Sequence, residues 1–206
     1  MYPYETNSIP DGWKSVSLGD ICESVSVKHD FNKEELIFLN TGDIEDGCFL
    51  HSNYSSVESM PGQAKKSIKE NDILYSEIRP INRHYAYVSF NAEDYVVSTK
   101  LMVIRSKVID PRRLYHYLTS KTVIDELQHE AETRSGTFPQ IRFDNIQRLK
   151  MIIAPPEQEK SFCEILHAYY QKIDANITEN ERLSSLRDSI LPKLMSGEID
   201  VSDLEQ

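Results

Sequence analysis

The stretch IIAPPEQEKSF, residues 152–162, separates two parts of the chain that differ in sequence pattern. Before it, short apolar runs alternate with turn residues, which is typical of a domain rich in β-strands. After it, residues 157–191 contain neither glycine nor proline. Glu157 and Glu159 lie in the first turn of a predicted helix, where the positive end of the helix dipole stabilises carboxylates. The sequence therefore predicts an α+β protein in which one long helix follows a strand-rich domain.

Apolar runs bounded by turn residues carry the strand prediction in the first part of the chain. They are ELIFLN (35–40), NDILYSEI (71–78), HYAYVSF (84–90), DYVVSTKLMVIRS (94–106) and KMIIAPP (150–156). Asp110 and Pro111 supply an N-cap and a first residue for a helix that interrupts them. The apolar side chains at helical spacing along that helix are Leu114, Tyr117, Leu118, Ile124 and Leu127. A short helix is predicted at FDNIQRL, residues 143–149.

The long helix carries a seam of side chains spaced alternately three and four residues apart. At 1.5 Å per residue, residues 157–191 extend about 50 Å, further than a domain of this size covers. The seam consists of Leu166, Tyr169, Ile173, Asn176, Asn180, Leu183, Arg187, Ile190 and Leu194, and six of these nine are apolar. Such a heptad seam predicts a partner helix, and asparagines within a seam can fix the register. Folding back onto its own domain is the alternative, which the length of the helix disfavours.

Composition limits the class of protein. The chain has 206 residues, and no apolar stretch approaches the ~20 residues that a membrane-spanning helix needs. The first residues, MYPYETNSIPDGW, contain neither the basic nor the apolar region of a secretion signal. The three cysteines are widely spaced and form no CxxC motif, which disfavours a disulfide framework and a zinc site. We therefore expect a cytoplasmic protein that does not associate with membranes.

Charge is distributed unevenly along the sequence. The formal net charge is −10, yet residues 61–150 carry 15 Lys and Arg against 11 Asp and Glu. The flanking segments are acidic. A central basic face could therefore contact phosphate while the ends contact protein, and random scatter of surface charge is the alternative.

Motifs for catalysis are absent from the sequence. It contains no GxxxxGK[ST] phosphate loop, no glycine-rich cofactor turn and no HExxH, and its six histidines are scattered, so no cofactor or metal is predicted. One enzymatic alternative is a metal-dependent nuclease, because Asp72, Glu77 and Arg79 distantly resemble the acidic cluster of such enzymes. A strand with alternating side chains explains the same residues.

Several motifs in a fixed order resemble one half of the specificity subunit of a type I restriction-modification system. The resemblance extends from about residue 13 to residue 201. Its motifs are PDGWKSVSLGDI (10–21), TGDIEDG (41–47), NDILYS (71–76), SGTFPQI (135–141), IIAPPEQEKSF (152–162) and LRDSILPKLMSGEIDV (186–201).

The resemblance implies a noncatalytic subunit with three segments. Residues 1–154 would be a target recognition domain that binds double-stranded DNA, residues 155–195 a spacer and dimerisation helix that forms an antiparallel coiled coil, and residues 196–206 a short tail. Pro192 should kink or end the helix. Methyltransferase and restriction subunits are the implied protein partners.

This sequence has one domain and one helix where the family usually has two of each. We expect a homodimer that binds two inverted half-sites. The alternative is that the chain is a truncated or recombinational cassette that needs a full-length partner. The alternative from another functional class is a DNA-free dimeric scaffold or a degenerate specificity cassette.

Base-reading residues vary in this family, so candidates for DNA contact rest on side-chain chemistry alone. The first choices are Lys65, Lys66, Arg79 and Arg83, followed by Lys69, Arg105 and Arg134. Gln63, Asn82, His84, Tyr85 and Lys100 lie in the same region. A solvated surface charge is the alternative for each cation, and for Arg134 the further alternative is a structural corner. Thr137 and Gln140 match a family pattern that organises the junction before the helix.

Overall fold

The computed structural model describes residues 9–199, and within them the chain folds into twelve β-strands, five α-helices and three short 3-10 helices. The strands are β1 Lys14–Ser17, β2 Cys22–Val25, β3 Glu35–Leu39, β4 Ile44–Glu45, β5 Cys48–Phe49, β6 Tyr54–Ser56, β7 Ala64–Ser67, β8 Ile73–Ser76, β9 Tyr85–Tyr87, β10 Tyr95–Ser98, β11 Leu101–Ser106 and β12 Lys150–Ile153. The α-helices are α1 Leu18–Ile21, α2 Pro111–Leu118, α3 Lys121–Arg134, α4 Phe143–Ile146 and α5 Pro156–Met195. The 3-10 helices are Thr41–Asp43, Val57–Ser59 and Pro80–Asn82.

The chain divides into two units, one that ends at Cys163 and one that begins at Glu164. The predicted architecture, a strand-rich domain and a long C-terminal helix, is confirmed. Among residues 9–199, none of the helices combines the length and the apolar composition that crossing a bilayer requires.

Two four-stranded sheets form the centre of the first unit. Their strand orders are β6-β3-β10-β7 and β2-β11-β8-β9, and β3 and β10 pair in parallel while the other pairs are antiparallel. One buried cluster draws side chains from both sheets, including Leu39 on β3, Leu74 on β8 and Val103 on β11. Residues 101–104 of β11 are all buried, so that strand is covered on both faces. Two-stranded pairs β1-β12 and β4-β5 complete the fold.

The helix predicted after Asp110 begins as expected but is divided. The Asp110 carboxylate accepts a hydrogen bond from Arg113 N (3.0 Å), and Pro111 is the first helical residue. The prediction of one continuous helix is wrong, because α2 ends at Leu118 and α3 begins after Ser120, whose ψ of 144° is extended. Thr119 contributes to the break, because its hydroxyl donates to Tyr115 O (2.9 Å) at the end of α2, whereas the Ser120 side chain makes no cap hydrogen bond to α3.

The start of α5 is fixed by Glu159 in its first turn. The two oxygens of this carboxylate accept hydrogen bonds from Ala154 N (3.1 Å) and from Arg113 Nε (2.9 Å). The Arg113 guanidinium also lies 4.9 Å from the centre of the Phe162 ring. The position of the acidic first turn, read from the sequence, is therefore correct.

Pro192 does not end α5, which continues to Met195 and is about 60 Å long at 1.5 Å per residue. Because Pro192 lies in the last turn, its missing N–H affects few helical hydrogen bonds. The helix ends at Met195, and Gly197 follows in a left-handed conformation (φ +74°) that suits glycine, with its N–H donating to Leu194 O (3.2 Å). Residues 200–206 of the predicted tail lie outside the described residues.

A buried ion pair joins two adjacent strands of the second sheet. Asp72, which precedes β8 and is fully buried, accepts bonds from Arg105 Nε (2.7 Å) and Nη2 (2.8 Å) on β11. Its carboxylate also accepts a hydrogen bond from Lys69 N (2.9 Å). Three donors thus compensate the burial of one carboxylate.

We predict that Asp72→Ala lowers the free energy of unfolding by about 3 kcal/mol, because it leaves the guanidinium of Arg105 without its buried partner. Urea denaturation followed by circular dichroism measures the change. Asp188→Ala is the matched control, since Asp188 pairs with Arg187 on the exposed surface of α5 and its loss should leave stability unchanged. Equal stability of the two variants would contradict the structural role of Asp72.

Candidate nucleic-acid interface

Two arginines flank the 3-10 helix that follows β8. Arg79 (φ 42°) and Arg83 (φ 56°) both adopt left-handed backbone conformations, which are uncommon for residues other than glycine. Asn82 N donates to Arg79 O (2.9 Å) and Arg83 N to Pro80 O (3.0 Å). We call residues 79–83 the arginine turn. Its strained backbone has to be held by the surrounding structure.

The segment SGTFPQI holds the arginine turn in place. Arg79 N donates to Pro139 O (3.1 Å), Ile141 N donates to Glu77 O (2.8 Å), and Ile78 and Gln140 form an antiparallel bridge between them. These bonds join segments that lie 60 residues apart in sequence. We call the arginine turn and residues 135–142 together the two-loop surface.

Helix α3 supports the same surface from a second direction. The side-chain oxygen of Gln128 accepts a hydrogen bond from Ile81 N (3.2 Å), in the middle of the arginine turn. The amide of Gln128 in turn donates to Glu132 on the next turn of α3 (2.6 Å). The conformation of the arginine turn is therefore fixed at its first residue and at its centre.

The arginines of the two-loop surface differ in how far they are neutralised. Arg79 is exposed and makes no ion pair with any residue that the structure describes. Arg83 is also exposed, and its Nη1 lies 3.3 Å from Asp46 Oδ2. Because that pair is solvent-accessible, it is weak and can be replaced by a phosphate at small energetic cost.

Arg134 belongs to a structural corner beside this surface. Its guanidinium donates to Asn145 Oδ1 (3.3 Å) and to Glu130 Oε1 (3.4 Å). Asn145 is buried and also accepts from Arg142 N (2.8 Å), so it connects α3 to the start of α4. Of the two predicted roles for Arg134, these bonds favour the structural corner.

The lysines of β7 serve different purposes. Lys66 Nζ donates to two main-chain oxygens, Thr99 O (3.1 Å) and Leu101 O (2.8 Å), and burial lowers the pKa of this amine below its ordinary value. Lys66 is therefore used inside the domain. The side chain of Lys65 is exposed and stays a candidate for phosphate contact.

The two remaining candidates, Lys69 and Arg105, lie at the far end of β8 from the arginine turn. Asp72 immediately precedes this strand and Glu77 immediately follows it, a separation of about 16 Å at 3.3 Å per residue. Arg105 is held by Asp72, and Lys69 is bonded to the same carboxylate through its main chain. The structure therefore does not bring these two cations together with Arg79 and Arg83.

The same separation argues against the nuclease alternative. Two residues whose α-carbons lie about 16 Å apart cannot bring their carboxylates onto one divalent ion. Asp72 instead binds Arg105, and Glu77 Oε2 lies 3.5 Å from Lys100 Nζ. Among residues 9–199, no group of three or more His, Cys, Asp and Glu side chains is arranged to hold a metal ion.

Three residues of the two-loop surface were missed by the sequence reasoning. Phe138 and Ile81 are large apolar side chains with exposed fractions of 57% and 52%, and Arg142 is an exposed cation. For Phe138, the sequence signal was an aromatic residue placed between the turn-forming residues Gly136 and Pro139.

The predicted dimerisation residues all lie on α5. Leu166 is buried and Ile190 is partly buried, whereas Tyr169 (69% exposed), Ile173 and Leu183 are exposed. The polar members of the seam, Asn176, Asn180 and Arg187, are exposed as well. So are the flanking apolar side chains of Ile165, Ile177 and Leu186. A long apolar face thus remains open to solvent on this helix.

Comparison with known proteins identifies relatives of known class. The chain is 41% identical over 181 residues to the type I restriction enzyme HindI specificity subunit of Haemophilus influenzae, covering 86% of this chain and 39% of that protein. It is 23% identical over 203 residues to the MjaIX specificity subunit of Methanocaldococcus jannaschii, covering 95% and 46%. The chain therefore spans less than half the length of these curated relatives.

Solved structures share the fold at lower identity. The HsdS subunit from Thermoanaerobacter tengcongensis matches 98% of this chain and 53% of its own with a TM-score of 0.66 at 20% identity. The type I restriction-modification S subunit from M. genitalium matches 89% and 46% with a TM-score of 0.58 at 16% identity. Residues 10–185 also match the family model described as the type I restriction modification DNA specificity domain. This chain belongs to that family of specificity domains.

Proposed function

We propose that this chain is a noncatalytic DNA-recognition subunit of a type I restriction-modification complex and that its first unit binds one half of a bipartite target. The observation that carries the proposal is the arginine turn, which presents Arg79 at the surface of a specificity domain without a neutralising partner among the described residues. An exposed cation on a rigid turn suits phosphate, since ordering it before binding reduces the entropy lost on contact.

Different side chains of the two-loop surface would serve positioning and base reading. Arg79 would contact the phosphate backbone, which fixes register without reading sequence. Arg83, Asn82 and Gln140 have donors and acceptors suited to guanine or adenine edges. Lys65 would add a further phosphate contact from β7. This division of roles allows the target sequence to change by substitution in the loops while the scaffold is kept.

The second part of the proposal concerns α5. We infer that its exposed apolar face pairs with the same helix of a second copy in an antiparallel coiled coil, with Asn176 and Asn180 fixing the register. A twofold axis would then place two recognition domains on two inverted half-sites. In this arrangement residues 1–154 recognise DNA, residues 155–195 set the spacing, and residues 196–206 form a tail.

Protein partners follow from the proposed role. A noncatalytic DNA reader acts only by positioning enzymes, and its curated relatives are named as specificity subunits of restriction enzymes. We therefore propose methyltransferase and restriction subunits as partners and the cytoplasm, where the target DNA lies, as the location. No cofactor is required of this chain for binding.

We predict that Arg79→Ala lowers affinity for duplex DNA about tenfold and reduces the slope of log affinity against log salt by about 1, because one phosphate contact is lost. The full chain is assayed together with its methyltransferase subunit by fluorescence anisotropy across a salt series. Arg182→Ala is the control, since Arg182 is an exposed cation on α5 that pairs with Glu179.

An unchanged salt slope in Arg79→Ala would show that Arg79 does not contact phosphate. Absence of any sequence-specific footprint with the wild-type complex would instead contradict DNA recognition and favour the DNA-free scaffold or degenerate cassette.

We predict that introducing Ile173→Glu and Leu183→Glu together converts a wild-type dimer to a monomer, because two buried charges per helix would disrupt the seam. Light scattering over a concentration series measures the mass. The matched control carries Gln171→Glu and Ser185→Glu, which add the same charges about 200° away around the helix. A wild-type chain that is monomeric throughout would contradict homodimerisation and favour pairing with a full-length subunit.

A further inference from the structure

Two large apolar side chains project from the two-loop surface. Phe138 is 57% exposed and Ile81 is 52% exposed, although each sits in a segment whose main chain is firmly held. Single exposed apolar residues are common on proteins. Here they occupy the two loops that Arg79 N and Pro139 O join directly (3.1 Å), so both lie on the surface that carries the proposed phosphate contact.

The loop that carries Phe138 is ordered by neighbours on either side of it. Phe138 N donates to the Ser135 hydroxyl oxygen (3.2 Å), and the following residue, Pro139, is buried. The main chain then bonds to residues 77–79. The main chain that carries the ring is therefore held in place, which limits the backbone entropy that a contact through this ring would lose.

Charge around these side chains favours one kind of occupant. Arg79 is two residues from Ile81, and Arg142 is four residues from Phe138. Both arginines are exposed and lack ion pairs to described residues, whereas Arg83 pairs with Asp46 at the surface. A polyanion whose interior is apolar and whose outside is charged complements this pattern. Duplex DNA has both features, because its stacked bases lie between two rows of phosphates.

We propose that Phe138 inserts against a base step of the half-site and partly unstacks it, with Ile81 as a second apolar contact to the base edges. The inference rests on the proposed function. Apolar wedges of this kind bend DNA and allow more of the protein surface to reach it. Arginines on either side would hold the phosphates of the deformed step.

Insertion of Phe138 would make binding depend on how easily the DNA deforms at one position of the half-site. Pyrimidine–purine steps such as TA and CA unstack most easily, so one such step should occur at a fixed position in each half-site. Sequence specificity at that position would come from deformability of the DNA and not from a donor or acceptor on the protein.

The test uses the complex of the full chain with its methyltransferase subunit and the duplex that this complex selects from a random library. 2-Aminopurine, which pairs with thymine, replaces each adenine of that duplex in turn, and its fluorescence reports unstacking. The adenine that the methyltransferase subunit flips out for methylation is left unsubstituted, because flipping also raises the fluorescence. We expect wild-type binding to raise the fluorescence at one step of each half-site. Phe138→Ala should abolish the rise and lower affinity about tenfold or more, with an unchanged salt slope because no charge is removed.

Control variants separate insertion from general damage. Phe138→Tyr should retain the fluorescence rise, because it keeps the aromatic ring. Val108→Ala, which truncates an apolar side chain that is 72% exposed outside the two-loop surface, should change neither signal. Co-purification of the methyltransferase subunit with Phe138→Ala checks that the ring does not instead contact that partner.

The outcomes distinguish insertion of Phe138 from DNA recognition as such. An unchanged fluorescence rise in Phe138→Ala would overturn the insertion while leaving DNA recognition standing. Loss of the methyltransferase subunit from this variant would also overturn it, in favour of a protein contact. Failure of the wild-type complex to select any duplex would overturn the proposed function and the insertion with it.

Discussion

The main-chain pairing between residues 77–79 and residues 139–141 is the constraint on which the candidate interface depends. Two hydrogen bonds, Arg79 N to Pro139 O and Ile141 N to Glu77 O, connect the end of β8 to the segment that leads into α4 and β12. They supply the main-chain contacts to a distant segment that hold the left-handed backbone at Arg79, since such strain persists only where the surroundings determine it. The bonds therefore convert two irregular segments into one rigid surface, which is what a recognition site on loops requires.

Cations in this domain divide into those that build the fold and those that face solvent. Arg105 neutralises Asp72 in the interior, and Lys66 donates to two carbonyl oxygens. Moving either cation to a ligand would break these bonds, and loss of Arg105 would leave the Asp72 carboxylate buried without its ion partner. The Arg79 side chain makes no ion pair with any described residue. The difference arises from distant partners, since Asp72 and Arg105 are 33 residues apart in sequence.

Local signals in the sequence predicted what is local in the structure. The Asp110 cap, the strand stretches and the acidic first turn of α5 depend on residues within a few positions, and the structure confirms each. The break between α2 and α3 is also local. It was missed because the apolar spacing continues across Ser120 to Ile124 and Leu127. Which cations stay free could not be predicted, because pairing is decided by tertiary contacts. For Phe138, exposure depends on how SGTFPQ packs against the arginine turn, and no periodicity encodes that.

The net charge of −10 bears on how a DNA-binding surface on this chain would work. At physiological salt the Debye length is about 8 Å, so distant acidic groups are screened and the local arginines dominate once DNA is in contact. At longer range the overall negative charge gives no general attraction to DNA, which keeps nonspecific binding weak. Affinity gained from counterion release is small for a surface with few free cations, so apolar contacts gain relative weight. The binding free energy from an aromatic side chain such as Phe138 depends little on salt concentration. Insertion of the ring favours only base steps that unstack easily. A sparsely charged surface with an apolar projection therefore raises the ratio of specific to nonspecific binding, even where it lowers total affinity.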